Sequence, residues 1–183
     1  MARFAGRAEP GAAHDADDAA VYLYTSGTTA DPKGVKHTHR AVLAAAAAVA
    51  STSELTSEDR LYIASPMTLA TGYLYINCLP ALLACTVCMS DHWTPQIAVD
   101  TIASQRCTWT AGATPFLQGL VEAGGASPEK LASLRTFRCG GALVPPSLIQ
   151  AAWSLGVNAF RAYGLTEHLA ITGRRESSVE AAA

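Results

Sequence analysis

The chain has 183 residues, of which 50% are hydrophobic and only 15% are charged, so it can bury a sizeable core and is not a disordered segment. Its net charge of −2 comes without any basic stripe, which argues against nucleic acid as a partner. The longest apolar stretch, residues 76–89, contains Asn77, Pro80 and Thr86 and is too short to cross a bilayer. Residues 1–13 lack the apolar centre of a signal peptide. We therefore expect a cytoplasmic protein.

Strands and helices are predicted to alternate along the chain. The predicted strands cover residues 19–23, 61–64, 86–89, 107–111, 136–139 and 157–162. Helices are predicted over residues 40–51, 73–83, 94–105, 114–125 and 146–156, with a short one starting at residue 127; Thr38 and Thr94 are suited to cap two of them. Apolar strands separated by single helices require crossover connections. The fold class predicted is therefore α/β, a parallel sheet covered by helices on both faces.

Three parts follow from this pattern. Residues 1–18 form a loose N-terminal segment, residues 19–173 form the folded core, and residues 174–183 form a frayed tail.

The five cysteines lie in apolar segments, and their odd number predicts buried free thiols in a reducing compartment. Cys85 and Cys88 have the spacing of a redox or zinc pair. They fall in residues 82–89, which read as a buried strand, so their side chains would point to opposite faces. We therefore expect neither kind of site.

Residues 24–40, between the first strand and the first helix, have the composition of a polyphosphate-binding loop. Glycines let the backbone approach an anion, hydroxyl and amide groups donate to its oxygens, and a lysine offsets its charge. A Walker A loop is excluded because Lys33 precedes its glycine and no hydroxyl follows. The candidate nucleotide ligands here are Thr25, Ser26, Gly27, Thr28, Thr29, Lys33 and Gly34.

Two further motifs follow predicted strands. Gly140, Gly141 and Ala142 follow the strand at 136–139, and Tyr163 to Glu167 follow the last strand. In a covered parallel sheet, ligands bind at the carboxyl ends of strands. Paired glycines there would let a flat ligand lie against bare backbone, although a lone Gly-Gly is more often a tight turn.

In this order, the three motifs resemble those of the adenylate-forming enzymes, which include acyl-CoA synthetases, luciferases and nonribosomal-peptide adenylation domains. Residues 24–35 match the pattern Tyr/Phe-Thr-Ser-Gly-Thr-Thr-Gly-x-Pro-Lys-Gly-Val except at Ala30, and residues 163–167 match Tyr-Gly-x-Thr-Glu. The runs at 109–117 and 133–139 look most like the cyclohexanecarboxylate and medium-chain acyl-CoA ligase branch. The resemblance covers residues 17–173.

The resemblance implies a role for each motif. Ser26, Thr28, Thr29 and Lys33 would hold the β- and γ-phosphates of ATP, and Gly140, Gly141 and Ala142 would form a shelf for adenine. Tyr163, beside Gly164, would stack on adenine, Thr166 would donate to a phosphate oxygen, and Glu167 would hold Mg²⁺. Lys33, Thr166 and Glu167 are the candidate catalytic residues. The implied reaction activates a carboxylic acid with ATP as an acyl-adenylate, and coenzyme A then displaces AMP.

The sequence also departs from the family pattern. Leu69 stands where many relatives have a histidine that helps to arrange the carboxylate and acyl pocket. No residue after Gly173 matches the ribose-binding aspartate or the lysine-bearing C-terminal domain of the family. Two hypotheses follow: the AMP-binding core of an acid–CoA ligase, inactive alone, or a catalytically incompetent nucleotide-binding remnant or scaffold. The expected partners are a small carboxylic acid and a nucleotide.

Overall fold

The structure, a computed structural model, describes residues 15–25 and 31–173. Within them the chain forms two sheets. Strands β1 (Ala19–Thr25) and β2 (Lys33–Thr38) pair antiparallel as a hairpin. The second sheet is parallel, with the order β4-β3-β5-β6-β7. Its strands are β3 (Arg60–Ile63), β4 (Thr86–Cys88), β5 (Trp109–Gly112), β6 (Thr136–Cys139) and β7 (Asn158–Arg161).

The hairpin corrects one expectation. The first predicted strand does not join the parallel sheet, and residues 33–38, expected to belong to a flexible loop, form its partner strand. Val35 and His37 alternate with exposed residues and turn toward the protein body, which is the pattern of a half-buried strand. Residues 1–14 and 174–183, which were expected to be loose, lie outside the described residues.

The helices confirm most of the sequence boundaries. They are α1 (His39–Thr52), α4 (Pro95–Gln105), α5 (Thr114–Ala126), a 3₁₀ turn (Pro128–Leu131) and α6 (Pro146–Ser154). The side chains of Thr38 and Thr94 cap α1 and α4 by accepting hydrogen bonds from the amides of Ala41 and Ile97, each at 3.2 Å. The prediction of both caps is therefore confirmed.

The helix predicted over residues 73–83 is more complex than expected. It consists of α2 (Ala70–Gly72), a π-helix (Tyr73–Cys78) and α3 (Leu79–Leu83). Pro80 lies in the first turn of α3, and a proline ring clashes with the carbonyl four residues earlier in a regular helix. The wider π turn, in which the Leu79 amide donates to the Leu74 carbonyl, relieves that clash.

The parallel sheet is covered on both faces. On the α5 face, Tyr62, Phe137 and Cys139 pack under α4, α5 and α6. On the α1 face, Leu61, Ile63 and Trp109 pack under α1, the π-helix and α3. Every residue of β5 and β6 is buried. This arrangement confirms the predicted fold class.

The cysteines behave mainly as expected. All five are free and lie within the described residues. Cys85 packs on the α1 face and Cys88 on the α5 face. The prediction of a buried strand over residues 82–89 was wrong, because only Thr86–Cys88 are extended and they form an edge of the sheet. Among the described residues there is no group of three or more metal-binding side chains.

A polar cluster joins the amino ends of three strands. Asp59, just before β3, accepts hydrogen bonds from Thr108 Oγ1 at 2.7 Å, Arg135 Nη1 at 2.9 Å and the Thr56 amide at 2.8 Å. Burial alone would raise the pKa of the Asp59 carboxyl. The hydrogen bonds and the Arg135 charge outweigh this effect and hold the pKa below its usual value. The cluster lies at the opposite end of the sheet from the candidate site.

No helix within the described ranges is long and apolar enough to cross a membrane.

Candidate nucleotide-binding site

A cleft of about 320 Å³ lies at the carboxyl ends of β3, β5, β6 and β7. This is the edge of a parallel sheet at which ligands bind. Its walls come from the segment after β3, the start of α5 and the segments that follow β6 and β7. The main lining residues are Ser65, Pro66, Leu69, Tyr75, Gly112, Phe116, Arg138, Gly140, Gly141, Tyr163, Gly164, Leu165 and Thr166.

The paired glycines after β6 leave bare backbone at this edge. A Cβ atom on Gly140 would lie 2.6 Å from the carbonyl oxygen of Ala162, so only glycine lets the ends of β6 and β7 approach so closely. Gly141 has φ of +81°, which favours glycine. Both glycines line the cleft. Ala142 follows them on the exposed surface and is not part of the lining.

The segment after β7 folds back on itself as the Tyr163–Thr172 loop. The amide of Thr172 donates to the Tyr163 carbonyl at 3.0 Å, and Leu165 and His168 exchange backbone hydrogen bonds. The Tyr163 ring is 53% exposed at the cleft, so one of its faces can stack on a planar ligand. Thr166 lines the cleft, whereas Glu167 is exposed next to it.

The hairpin brings together the two ends of residues 24–34, the predicted phosphate-binding loop. Thr25 is paired with Lys33, and Tyr24 with Gly34. A Cβ on Gly34 would press against the Tyr24 ring at 3.2 Å. Ser26, Gly27, Thr28 and Thr29 lie outside the described residues, as does Ala30. Their predicted contacts with phosphate stay predictions.

Sequence reasoning missed His37. Its side chain is only 6% exposed, and its Nε2 lies 2.6 Å from the carbonyl oxygen of Thr166. A carbonyl oxygen only accepts, so Nε2 carries the proton and donates. This hydrogen bond joins β2, which carries Lys33, to the loop that carries Thr166 and Glu167. The alternation of β2 was a signal for an inward His37, but no local pattern names its partner 129 residues away.

Arg138 was also missed as a feature of the site. It lies beneath the cleft on β6 and is 4% exposed. Its Nη2 donates to the Thr172 carbonyl at 2.8 Å, and its guanidinium lies 5.8 Å from the centre of the Phe160 ring. Its Nε and Nη1 have no hydrogen-bond partner among the residues that the structure describes. Burial raises the pKa of neighbouring Tyr75, an effect that the charge of Arg138 and a hydrogen bond from its side chain partly offset.

Leu69, the departure from the family pattern, is 55% exposed and lines the cleft. Its side chain has no polar group, so it can bound the cleft but cannot orient a carboxylate.

Comparison with known proteins agrees with this geometry. The profile described as "AMP-binding enzyme" matches residues 3–182. The chain is 35% identical over 151 residues to the medium-chain fatty-acid–CoA ligase of Escherichia coli K12, covering 82% of this chain and 27% of that protein. It is 32% identical over 152 residues to a feruloyl-CoA synthase of an Amycolatopsis species, covering 82% of this chain and 31% of that protein.

Solved structures agree as well. The N-terminal domain of FACL13 from Mycobacterium tuberculosis, bound to an inhibitor, matches with a TM-score of 0.80 and 26% identity, over 94% of this chain and 44% of that one. The o-succinylbenzoate–CoA synthetase of Bacillus subtilis in complex with AMP matches with a TM-score of 0.80 and 25% identity, over 90% of this chain and 34% of that one.

The chain thus spans about a third of the length of the curated relatives just described. The resemblance of the three motifs to the adenylate-forming enzymes is therefore confirmed over most of the chain. On the match to residues 3–182, this protein belongs to the AMP-binding enzyme family.

Proposed function

We propose that this chain forms the nucleotide-binding core of a carboxylic acid–CoA ligase, which activates an acid with ATP and transfers it to coenzyme A. The observation that carries the proposal is the convergence of two motifs on one cleft. The backbone of Gly140 and Gly141, the Tyr163 ring and Thr166 all line it. The glycine pair follows β6 and Tyr163 follows β7. These strands are neighbours in the sheet, although the two motifs lie more than twenty residues apart in the chain.

The shape and chemistry of these residues fit an adenine nucleotide. The position of Gly140 has no room for a Cβ atom, and the glycine pair offers bare backbone for a flat base. Tyr163 is exposed at the cleft and offers its ring for stacking, and Thr166 lines the same cleft. We assign adenine to the Gly140–Gly141 shelf, with Ala142 at its outer end, and the phosphates to the side of Thr166.

Lys33 is assigned to the β- and γ-phosphates together with Ser26, Thr28 and Thr29, and Thr25, Gly27 and Gly34 are assigned to nucleotide binding in the same loop. Strand alternation puts Lys33 on the same face of β2 as His37, which contacts the Thr166 carbonyl. An ammonium at this place offsets the charge of a departing pyrophosphate, which is the main electrostatic requirement of the first step. Glu167 is exposed beside Thr166 and is assigned to Mg²⁺, which supplies further positive charge to the phosphates when bound.

The acid is assigned to the part of the cleft bounded by Leu69 and Phe116. These side chains are apolar and suit a hydrocarbon or aromatic acid, in agreement with the medium-chain and feruloyl specificities in the names of two relatives. Coenzyme A is assigned as the second substrate because the names of both relatives include it.

Nucleotide affinity tests the core of this proposal. Titration calorimetry should show that the chain binds ATP more tightly than adenosine. Lys33→Ala should raise the Kd for ATP by about tenfold or more, since a charge-assisted hydrogen bond contributes about 1.5–3 kcal/mol, and should leave adenosine binding unchanged. Lys36→Ala is the matched control, because Lys36 has the same charge on the opposite face of the same strand.

If Lys33→Ala and Lys36→Ala weakened ATP binding equally, the effect would come from the net charge of the protein and not from a specific contact. That result would contradict the assigned site. A pyrophosphate-exchange assay with medium-chain and aromatic acids then tests catalysis by the chain. Background exchange is expected of a ligase core that is inactive alone, and exchange clearly above background would exclude the incompetent nucleotide-binding alternative.

A further inference from the structure

The His37–Thr166 contact is the hydrogen bond that fastens the hairpin's second strand to the Tyr163–Thr172 loop. His37 occupies the inner face of β2 together with Val35, and the partner strand presents Leu23 and Val21 on that face. Leu23 is buried, and Val21 packs against the α1-face core. The described residues of the inner face are therefore apolar apart from His37 near one end and the pair of Lys33 and Thr25 at the other.

The position of the acceptor sets this bond apart from a purely structural contact. A buried histidine needs a partner for its N–H, and many backbone carbonyls could serve. The one used here belongs to Thr166, a residue that lines the cleft. The hydrogen bond therefore fixes the backbone at a residue assigned to the phosphate side of the ligand.

Lys33 lies four residues before His37 on the same strand, about 13 Å away at the usual rise of a strand. β2 is regular over this length and paired with β1 throughout. Anchoring His37 therefore restricts where the Lys33 ammonium can lie relative to Thr166.

We propose that His37 is a positioning residue for the phosphate site: it contacts no nucleotide but holds Lys33 in register with Thr166 and Glu167. This inference rests on the proposed function, because it assigns His37 an effect on phosphate binding through Lys33. The alternative is a histidine that merely stabilises the fold. That role predicts a loss of stability without any selective loss of affinity for the phosphates.

The variants at position 37 separate these roles. In His37→Gln the side-chain amide nitrogen lies close to the position of Nε2 and can still donate to Thr166. His37→Asn is polar but one methylene too short, and His37→Leu has no donor. We expect His37→Leu and His37→Asn to raise the Kd for ATP about fivefold, which corresponds to the loss of one net hydrogen bond. The Kd of His37→Gln should lie within about twofold of the wild-type value. Adenosine affinity should stay the same in all three.

A double-mutant cycle tests whether His37 acts through Lys33. If it does, His37→Leu should have little further effect on ATP affinity when Lys33 is already alanine. His92→Leu is the matched control: His92 is exposed and lies beside Asp91, so this variant should bind ATP as the wild type does. Thermal melting of each variant reports its stability. If His37→Leu fails to fold, the comparison of Gln with Asn and the cycle of His37→Asn with Lys33→Ala carry the test.

The outcomes distinguish this inference from the proposed function. If the wild type does not prefer ATP to adenosine, or Lys33→Ala has no effect, the proposed function fails. If both hold but the position-37 variants bind ATP normally, or weaken ATP and adenosine alike, or add fully to Lys33→Ala, then His37 is not a positioning residue and only this inference is overturned.

Discussion

The parallel sheet and the β1–β2 hairpin divide the candidate site between two very different kinds of structure. The sheet is covered on both faces, and Trp109 and Leu61 at its centre are fully buried. In the hairpin the buried residues are Leu23 and His37, and the neighbouring residues are half-buried or exposed. A two-stranded hairpin is marginally stable by itself. The proposed base shelf therefore follows a strand of the well-packed sheet, whereas Lys33, one of the proposed phosphate ligands, lies on the lightly anchored hairpin.

The largest expected effect tests the strength of the sheet. Trp109→Ala removes a fully buried indole that packs edge-on against Tyr75, and we expect it to lower the free energy of unfolding by about 3–5 kcal/mol. Leu23→Ala in the hairpin should lower it by only about 2 kcal/mol. Urea unfolding followed by far-UV circular dichroism measures the free energy of unfolding of both variants, and this signal does not depend mainly on tryptophan. An equal loss in the two variants would remove the proposed difference between the regions.

The second prediction concerns the polar cluster at the far end of the sheet. Asp59→Asn should lower the free energy of unfolding by about 2 kcal/mol, because Thr108 and Arg135 then lose the charged acceptor that the buried Asp59 carboxylate provides. Since folding lowers the pKa of Asp59, its contribution is complete above the ordinary carboxyl pKa of about 4 and is lost as pH falls through the folded-state pKa.

The wild-type advantage over Asp59→Asn should therefore shrink on acidification in urea melts between neutral and acidic pH. Asp100→Asn is the control, because Asp100 is exposed and its pair with Lys130 should contribute less than about 1 kcal/mol. An advantage that stays constant at all pH values would contradict the role of the Asp59 charge.

A smaller effect is expected at the junction of the hairpin with α1. Thr38→Ala removes the side-chain oxygen that accepts from the Ala41 amide and should lower the free energy of unfolding by about 1 kcal/mol. Thr38→Ser keeps the cap and should stay close to the wild type. If serine loses as much stability as alanine, the methyl group of Thr38, and not its cap, holds the junction.

The smallest effect, of opposite sign, is expected at Arg138. Two nitrogens of the buried Arg138 guanidinium meet no acceptor among residues 15–25 and 31–173. Burying a charge with incomplete hydrogen bonding opposes folding, while methionine fills a similar space without charge. Arg138→Met should leave stability unchanged or raise it by about 1 kcal/mol in thermal or urea melts. Arg161→Met, at an exposed position of neighbouring β7, is the control. A clear loss in Arg138→Met alone would show that the charge has a stabilising partner.

The sheet was easier to predict from the sequence than the hairpin, for physical reasons. Segments such as residues 61–64 are apolar runs that end at turn signals, and both threonine caps are local features. β2 was missed because its glycine, two lysines and histidine read as a loop, and its strand character arises only from pairing with β1. The π-helix was missed because it depends on packing around Pro80.

Within the site, the order of the motifs predicted the family and the edge of the sheet at which Gly140, Gly141, Tyr163 and Thr166 meet. Their individual contacts with nucleotide, and those of the phosphate-loop residues, stay predictions. His37 was missed because residues 33–38 read as a loop, and Arg138 because a charged side chain argues against burial. Their partners at Thr166 and Thr172 are distant in the chain.

The buried thiols give this protein a chemical reporter of its own. Burial raises the pKa of Cys139, next to the glycine pair, to about 11, and burial together with Cys88 raises that of Cys107 to about 12. Only thiolates react readily with alkylating reagents, so at neutral pH both groups are shielded by their charge state as well as by packing. The alkylation rate of Cys139 thus measures how often the end of β6 opens. A nucleotide bound there would lower this rate, so binding could be followed without an attached label.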